Sequence, residues 1–239
     1  MSQTSDLIVG SYNVHKAVGV DRRRDPHRTI SVIRELSADL VALQEVDRRF
    51  GDRRGILDLA ELERQTGLVP VPLSLRKSEL AHGWHGNLIL CRDADLEAVR
   101  VIDLPGLEPR GAIVADLRFG RRPIRVIATH LGLLRSSRLQ QAERLAAEIS
   151  DDRPTLLLGD FNEWRRGPGC SLMPLKTGLG AVNRAPTVPS FPSRRPVLPL
   201  DRIIGCTKSE VLDLAPHVSA LSRLASDHLP IRARLRVDA

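Results

Sequence analysis

Apolar residues along the chain come in short runs: residues 7–9, 40–43, 88–91, 113–117, 124–128, 155–158, 203–204 and 231–235. Runs of that length, bounded by polar and turn-forming residues, predict β-strands, several of them covered on both faces. Helical spacing stands out at two places. Asp25 and Pro26 form an N-cap and first-turn pair ahead of Ile30, Ile33 and Leu36, and Ser137 with Gln140 forms a capping box ahead of Ala142, Leu145, Ala146 and Ile149. Strands mixed with few helices, without strict βαβ alternation or an internal repeat, predict an α/β (α+β) chain in which sheet packs on sheet and helices lie outside.

Residues 167–199 are rich in Gly, Pro and Ser, but strand-like runs resume at Leu200 and too little chain follows to build a second core. They are read as a long functional loop inside one domain covering residues 1–239. At 239 residues the chain is long enough to bury about 70% of its unfolded surface.

Polar residues interrupt the apolar strands in a pattern that a generic α/β domain does not need. Five strands end in carboxylates, amides or imidazoles: Ser11-Tyr12-Asn13-Val14-His15, Gln44-Glu45-Val46-Asp47, Ala128-Thr129-His130-Leu131-Gly132, Gly159-Asp160-Phe161-Asn162-Glu163 and Ser226-Asp227-His228-Leu229-Pro230. Asp201 follows Leu200 between the last two. Asn13 and His15, two apart, would point to one side of an extended chain. Each ending alone has a bland explanation: a solvated strand end for Glu45, a turn for Gly159-Asp160, a hydrogen-bonded rim histidine for His130. Taken together, they supply mostly hard oxygen ligands with one or two imidazoles, which suits Mg²⁺ or Mn²⁺ rather than zinc. A hard cation with two or three carboxylates, an amide and a cationic imidazole is the set that phosphate ester hydrolysis requires.

Other chemistries are disfavoured. Ser226, Asp227 and His228 are adjacent, alternate faces on an extended strand and cannot relay one proton, and no GxSxG elbow is present. The three cysteines, Cys91, Cys170 and Cys206, form no CxxC pair, so they read as reduced, buried small hydrophobes, not a disulfide framework or zinc site. No apolar run approaches the roughly 18 residues of a membrane span, and the first ten residues lack a basic segment followed by an apolar one. A cytoplasmic protein is expected.

In order and wording, the five endings, with Gly86-Asn87-Leu88-Ile89-Leu90 and Leu200-Asp201-Arg202-Ile203, resemble the motif series of the endonuclease/exonuclease/phosphatase superfamily, the DNase I-like fold. The likeness runs from about Leu7 to Arg232. It implies a four-layered sandwich of two mainly antiparallel β-sheets flanked by helices, with a Mg²⁺-dependent phosphoesterase site, Mn²⁺ serving as substitute. By this resemblance Glu45 is the principal metal carboxylate, with Asn13 beside it and Asp227 near the metal. Asp160 and Asn162 orient or deprotonate the attacking water, the general base being either Asp160 or His228. His228 stands on the scissile phosphate, Asp201 holds its ring, and His130 stabilises the transition-state oxygens. Asn87 matches a phosphate-contacting amide, and His15 is a further substrate-binding candidate. The strings Gln44-Glu45-Val46-Asp47 and Asp201-Arg202-Ile203 depart from those of abasic-site endonucleases, which weakens a DNA-repair reading. The closest wording, including Phe191-Pro192-Ser193-Arg194-Arg195-Pro196, is similar to small bacterial members.

Charge bears on the substrate. Lys and Arg number 36 against 29 Asp and Glu, a net +7, and all but four of the cations are Arg, whose guanidinium fork fits phosphate oxygens. Arg22-Arg23-Arg24, Arg48-Arg49, Arg53-Arg54, Arg165-Arg166 and Arg194-Arg195 flank the motifs, so Arg165 and Arg194 are candidate phosphate contacts. Solvated loop arginines are the bland alternative, as at Arg121-Arg122 in an apparent hairpin turn. Trp164 reads either as a stacking wall or as a core plug. A phosphodiester substrate is expected, nucleic acid favoured, with a membrane phospholipid or small phosphoester as the alternative and no protein partner inferred. Seven dispersed aromatics and no aromatic-rich hairpin give little support to bilayer entry or extensive base stacking. A non-catalytic anion-binding protein is the rival from another class.

Overall fold

The computed structural model describes residues 6–149, 153–175, 186–205 and 208–237. The chain runs β1 (Leu7–Asn13), α1 (Pro26–Glu35), β2 (Leu40–Gln44), α2 (Leu59–Thr66), β3 (Val69–Pro70), β4 (Leu88–Cys91), β5 (Asp95–Leu104), β6 (Arg110–Phe119), β7 (Arg122–His130), α3 (Arg135–Ala146), β8 (Thr155–Asp160), β9 (Asp201–Gly205), β10 (Ser209–Pro216), α4 (Ser222–Ala225) and β11 (Ile231–Val237). One sheet has the order β10-β11-β1-β2-β4-β3 and the other β5-β6-β7-β8-β9. Each is antiparallel except for one parallel pair, β1 with β2 and β7 with β8.

Side-chain alternation explains why the runs are apolar throughout. Val9, Leu40, Ala42, Ile89, Val126, Ala128, Leu156, Leu158 and Ile203 point into the space between the sheets. Their neighbours Val41, Leu43, Leu88 and Leu90 point outward under the first pair of helices, against Ile30, Ile33, Leu36 and Leu62. On the other outer face Ile127, Leu157 and Ile204 meet Ala142 and Leu145 of α3. Helix, sheet, sheet and helix make a four-layer sandwich, and strands with both faces covered carry no polar alternation.

Helix α1 starts as its sequence predicts: Asp25 accepts from the Arg28 amide at 2.9 Å and Pro26 opens the first turn. The capping box expected at Ser137 and Gln140 is not formed. Helix α3 begins two residues before Ser137, after Leu134, whose side chain makes no cap. Ser137 is buried in the first turn against Gly106, where any Cβ would come within 2.8 Å of the serine's own. Gln141, not Gln140, serves the loop, taking the Gly132 amide at 2.8 Å and donating to the Pro105 carbonyl at 2.9 Å.

The structure adds α2, with Asp58 as N-cap and Gly67 left-handed at its end, and the outer strands β5 and β10. Cys91 is buried, as expected, and burial pushes its thiol up to about 11; Cys170 is part-buried. Cys206 lies outside the described residues, as does the stretch 176–185 of the long loop.

Candidate active site

Strand register assembles the polar endings. His130 on β7 is paired with Asp160 on β8, and Asp160 is paired with Asp201 on β9. All three share the inward parity of Ala128, Leu158 and Ile203, so they line up in one row between the sheets. On the facing sheet Asn13 ends β1 beside Gln44 of β2, with Glu45 immediately after it. The polar residues therefore continue inward-facing positions of the core at one end of the sandwich.

Asp160 is the centre of the cluster. Its Oδ2 accepts from Asn13 Nδ2 at 3.0 Å and lies 3.4 Å from His130 Nε2 and 3.7 Å from His228 Nε2, while Oδ1 accepts the Asn162 amide at 2.9 Å. Asn162, itself at φ 50°, donates its side-chain amide to the Leu131 carbonyl at 3.0 Å, which fixes the turn that carries it. His228 meets Asp201 Oδ2 through Nδ1 at 2.8 Å. Ser190 also donates to that carboxylate oxygen, and the Phe191 ring lies 4.9 Å from the imidazole. Asp201 Oδ1 is buried without a partner.

The electrostatics separate two histidines of similar burial. Burial opposes a charge on His228, but the Asp201 and Asp160 carboxylates outweigh it and lift the imidazole to about 10. Burial drives His130 well below the ordinary histidine range, so it is neutral at neutral pH. Asp160 is pushed up to about 6, by burial first; the His228 charge pulls it down and Asp201 pushes it further up. One cationic imidazole, one neutral imidazole and a carboxyl close to neutrality thus share one site, the kind of separation that general acid–base work uses.

Glu45 faces a cavity of about 250 Å³ whose lining also includes Lys16, His130, Arg48, Arg49, Arg53 and Arg110. The Lys16 ammonium bonds directly to the Glu45 carboxylate. Burial works against the charge of Glu45, and the His130 ring and Lys16 outweigh it, holding the carboxyl at about 2. Because burial leaves His130 neutral, Lys16 is the partner that keeps its charge at neutral pH. It is delivered by a turn in which His15, Lys16 and Ala17 are successively left-handed, at φ 45°, 55° and 57°, a strain that non-glycine residues hold only when the surroundings impose it.

A hard divalent cation fits this donor set. Asp160, Asp201 and His228 bring ligand-type atoms within 4.8 Å of one another, yet a protonated imidazole bonded to Asp201 is a poor ligand and already serves as the cation of that group. Glu45 is ionised, oxygen-bearing and open to the cavity, and a cation already rests on it. Asp227, about a third exposed, accepts from Ser226 Oγ at 3.3 Å and lies 3.6 Å from His15 Nδ1. Glu45 and Asp227 are the carboxylates outside the Asp160–Asp201–His228 group that could offer oxygen ligands to a metal.

The remaining expected residues fall in several places. His15 does not lie extended beside Asn13: the chain leaves the strand at Val14, and the His15 amide folds back onto Asn13 Oδ1 at 3.0 Å. Asn87 is fully buried and donates both amide hydrogens to the carbonyls of Trp84 and Gly111, leaving only its oxygen free. Trp164 is 44% exposed and so is not a core plug, with the Arg165 guanidinium 4.5 Å from its ring. Arg166 bonds Thr187, and the Arg194 carbonyl accepts from Arg223 at 2.7 Å. Sequence reasoning missed Lys16, whose position depends on the left-handed turn. It also missed Ser190, for which the only signal was its place in the Gly- and Pro-rich loop.

Residues 10–228 match the model of the Endonuclease/Exonuclease/phosphatase family, and the chain belongs to that family of phosphoester hydrolases. It is 29% identical to the uncharacterized protein YbhP of Escherichia coli, across 99% of this chain and 98% of that protein. Among solved structures it resembles an endonuclease/exonuclease/phosphatase protein of Beutenbergia cavernae (TM-score 0.71, 24% identity, 98% of this chain and 72% of that one). D. rerio TDP2, solved with a single-strand DNA product, shares the fold at 16% identity (TM-score 0.68, 98% of this chain and 100% of that one).

Proposed function

We propose that the protein is a Mg²⁺- or Mn²⁺-dependent phosphodiester hydrolase acting on nucleic acid. The observation that carries this reading is the row His130, Asp160 and Asp201 with His228 closing it. A divalent cation held by Glu45 and Asp227 would supply Lewis-acid stabilisation of a phosphoryl oxygen. Asp160 accepts the proton of the attacking water, its carboxyl placed near neutrality by burial and held by Asn13 and Asn162. His228 presents Nε2–H to the charge developing on phosphoryl oxygens, and Asp201 keeps its ring oriented and protonated. His130, neutral, contributes a hydrogen bond without competing for the proton.

Two exposed aromatics beyond the motifs support a nucleic-acid strand over a lipid. Phe50 follows Glu45 by five residues and Trp164 follows Asp160 by four, each with an Arg guanidinium over its ring, at 5.6 and 4.5 Å. Bases stack on such platforms while guanidinium groups track the backbone. The test is a Mn²⁺ assay across single- and double-stranded DNA, RNA and phospholipid vesicles, with Glu45→Ala as blank. Oligonucleotide cleavage is expected, with KM rising steeply with salt at a log–log slope of roughly 3. Turnover of phospholipid alone, or a KM flat with salt, would contradict the nucleic-acid assignment.

A further inference from the structure

We propose that the cavity beside Glu45 is a second phosphate subsite, walled by Arg48, Arg49 and Arg53, that seats the phosphate neighbouring the one being hydrolysed. This rests on the phosphodiesterase reading and narrows its substrate to one with phosphates in series.

Glu45, His130 and the three arginines line the same cavity. Its other cations are already engaged. Lys16 rests on Glu45, Arg110 pairs with Glu108 at 2.8 Å, and Lys77 pairs with Asp103 at 3.2 Å while lying 4.0 Å over the Trp84 ring. Among the described residues Arg48, Arg49 and Arg53 form no ion pair, and Arg49 lies 5.6 Å over the ring of Phe50, which lines the same cavity. Asp47, the lining carboxylate that adjoins them in the chain, is 8% exposed and spends its oxygens on the amides of His82 and Gly83, at 2.7 and 3.2 Å. Three guanidinium groups on one concave wall repel each other, and an anion with several acceptor oxygens relieves that repulsion through forked hydrogen bonds.

The loop that carries the three arginines is closed by its own backbone. Residues 47–55 form a closed loop, pinched by the Asp47–Gly55 bridge and by the Arg48 amide donating to the Arg54 carbonyl at 3.0 Å. Gly55 fits under the His82 ring, where a Cβ would come within 2.2 Å of it. At about 250 Å³ the cavity falls below the roughly 300–1,000 Å³ of drug-sized pockets. It has room for a phosphate.

The test compares two chromogenic diesters that break the same bond. Thymidine 5′-(p-nitrophenyl phosphate) offers one phosphate, and its 3′-phosphorylated form offers two. Water adds to the 5′-phosphorus and p-nitrophenolate leaves in both. Wild type is expected to turn over the 3′-phosphorylated form with kcat/KM at least about tenfold higher, the size of one charge-assisted contact. The Arg48→Gln/Arg53→Gln double variant, or Arg53→Glu, should reduce that advantage to under about threefold, while Arg121→Gln in the β6–β7 turn keeps it. A wild-type ratio near one, or a ratio unchanged in the arginine variants, would overturn the subsite. If neither diester is hydrolysed, the phosphodiesterase reading falls on its own. Calorimetric titration of the metal-free protein with inorganic pyrophosphate then decides the subsite: binding weakened about tenfold in the double variant upholds it, and absent or unaltered binding removes it.

Discussion

His228 bonds Asp201 at 2.8 Å through Nδ1 and turns Nε2 toward Asp160 at 3.7 Å, so one buried imidazole is shared by two carboxylates from neighbouring strands. The pair of acids explains why this ring is charged while His130, on the other side of Asp160, is not.

That relationship sets a pH dependence of stability. The His228 value is raised from 6.5 to about 10 on folding, so its contribution is fully present below pH 6.5 and is lost as pH rises through 10. In metal-free protein, His228→Gln should lower the melting temperature clearly at pH 6, and the deficit should shrink steadily up to pH 10.5. Melting curves followed by circular dichroism check this; a deficit that grows with pH would show that the ring is held neutral.

Lys16 rests on the Glu45 carboxylate, the group proposed to bind the divalent cation. Lys16→Met should therefore bind Mn²⁺ more tightly, by about fivefold, the upper range for a part-exposed ion pair of roughly 1 kcal/mol. Isothermal titration or Mn²⁺ electron paramagnetic resonance reads the affinity directly, independent of turnover. Weaker Mn²⁺ binding in the variant would place Lys16 among the groups that help hold the metal.

Gly159 sits where β7 and β8 run in parallel beside the row of His130, Asp160 and Asp201, at φ 153°, and a Cβ there would come within 1.9 Å of the Thr129 carbonyl oxygen. Gly159→Ala should cost about 3 kcal/mol or more, since the backbone must part to admit it. The midpoint of urea unfolding measures the loss; an unchanged midpoint would mean that these strands do not approach so closely.

Much of this was legible in the sequence for one physical reason: central strands covered on both faces are continuously apolar, so polar residues at their ends are conspicuous. Asn13, Glu45, His130, Asp160 and Asp201 all stood out in that way. Strands β5 and β10 escaped because they lie at sheet edges and carry exposed charges, such as Glu97 and Glu210, at positions where a central strand would be apolar. Helix α2 was marked by Asp58 and Gly67 but is short, with Leu62 as its one fully buried residue. Lys16 could not be read, since its placement on Glu45 depends on three left-handed residues that no propensity favours. The Arg runs looked alike in sequence, yet loop closure turned Arg48, Arg49 and Arg53 into the cavity while Arg165 went onto Trp164.

The most direct test of the central claim is kcat for bis(p-nitrophenyl) phosphate with saturating Mn²⁺, measured on wild type, Asp160→Asn and His228→Ala with their folds verified. The site described here predicts metal-dependent turnover by wild type and a fall of at least about 100-fold in each variant, because both groups meet charge that develops only in the transition state. Turnover within a few-fold of wild type in both variants would contradict it.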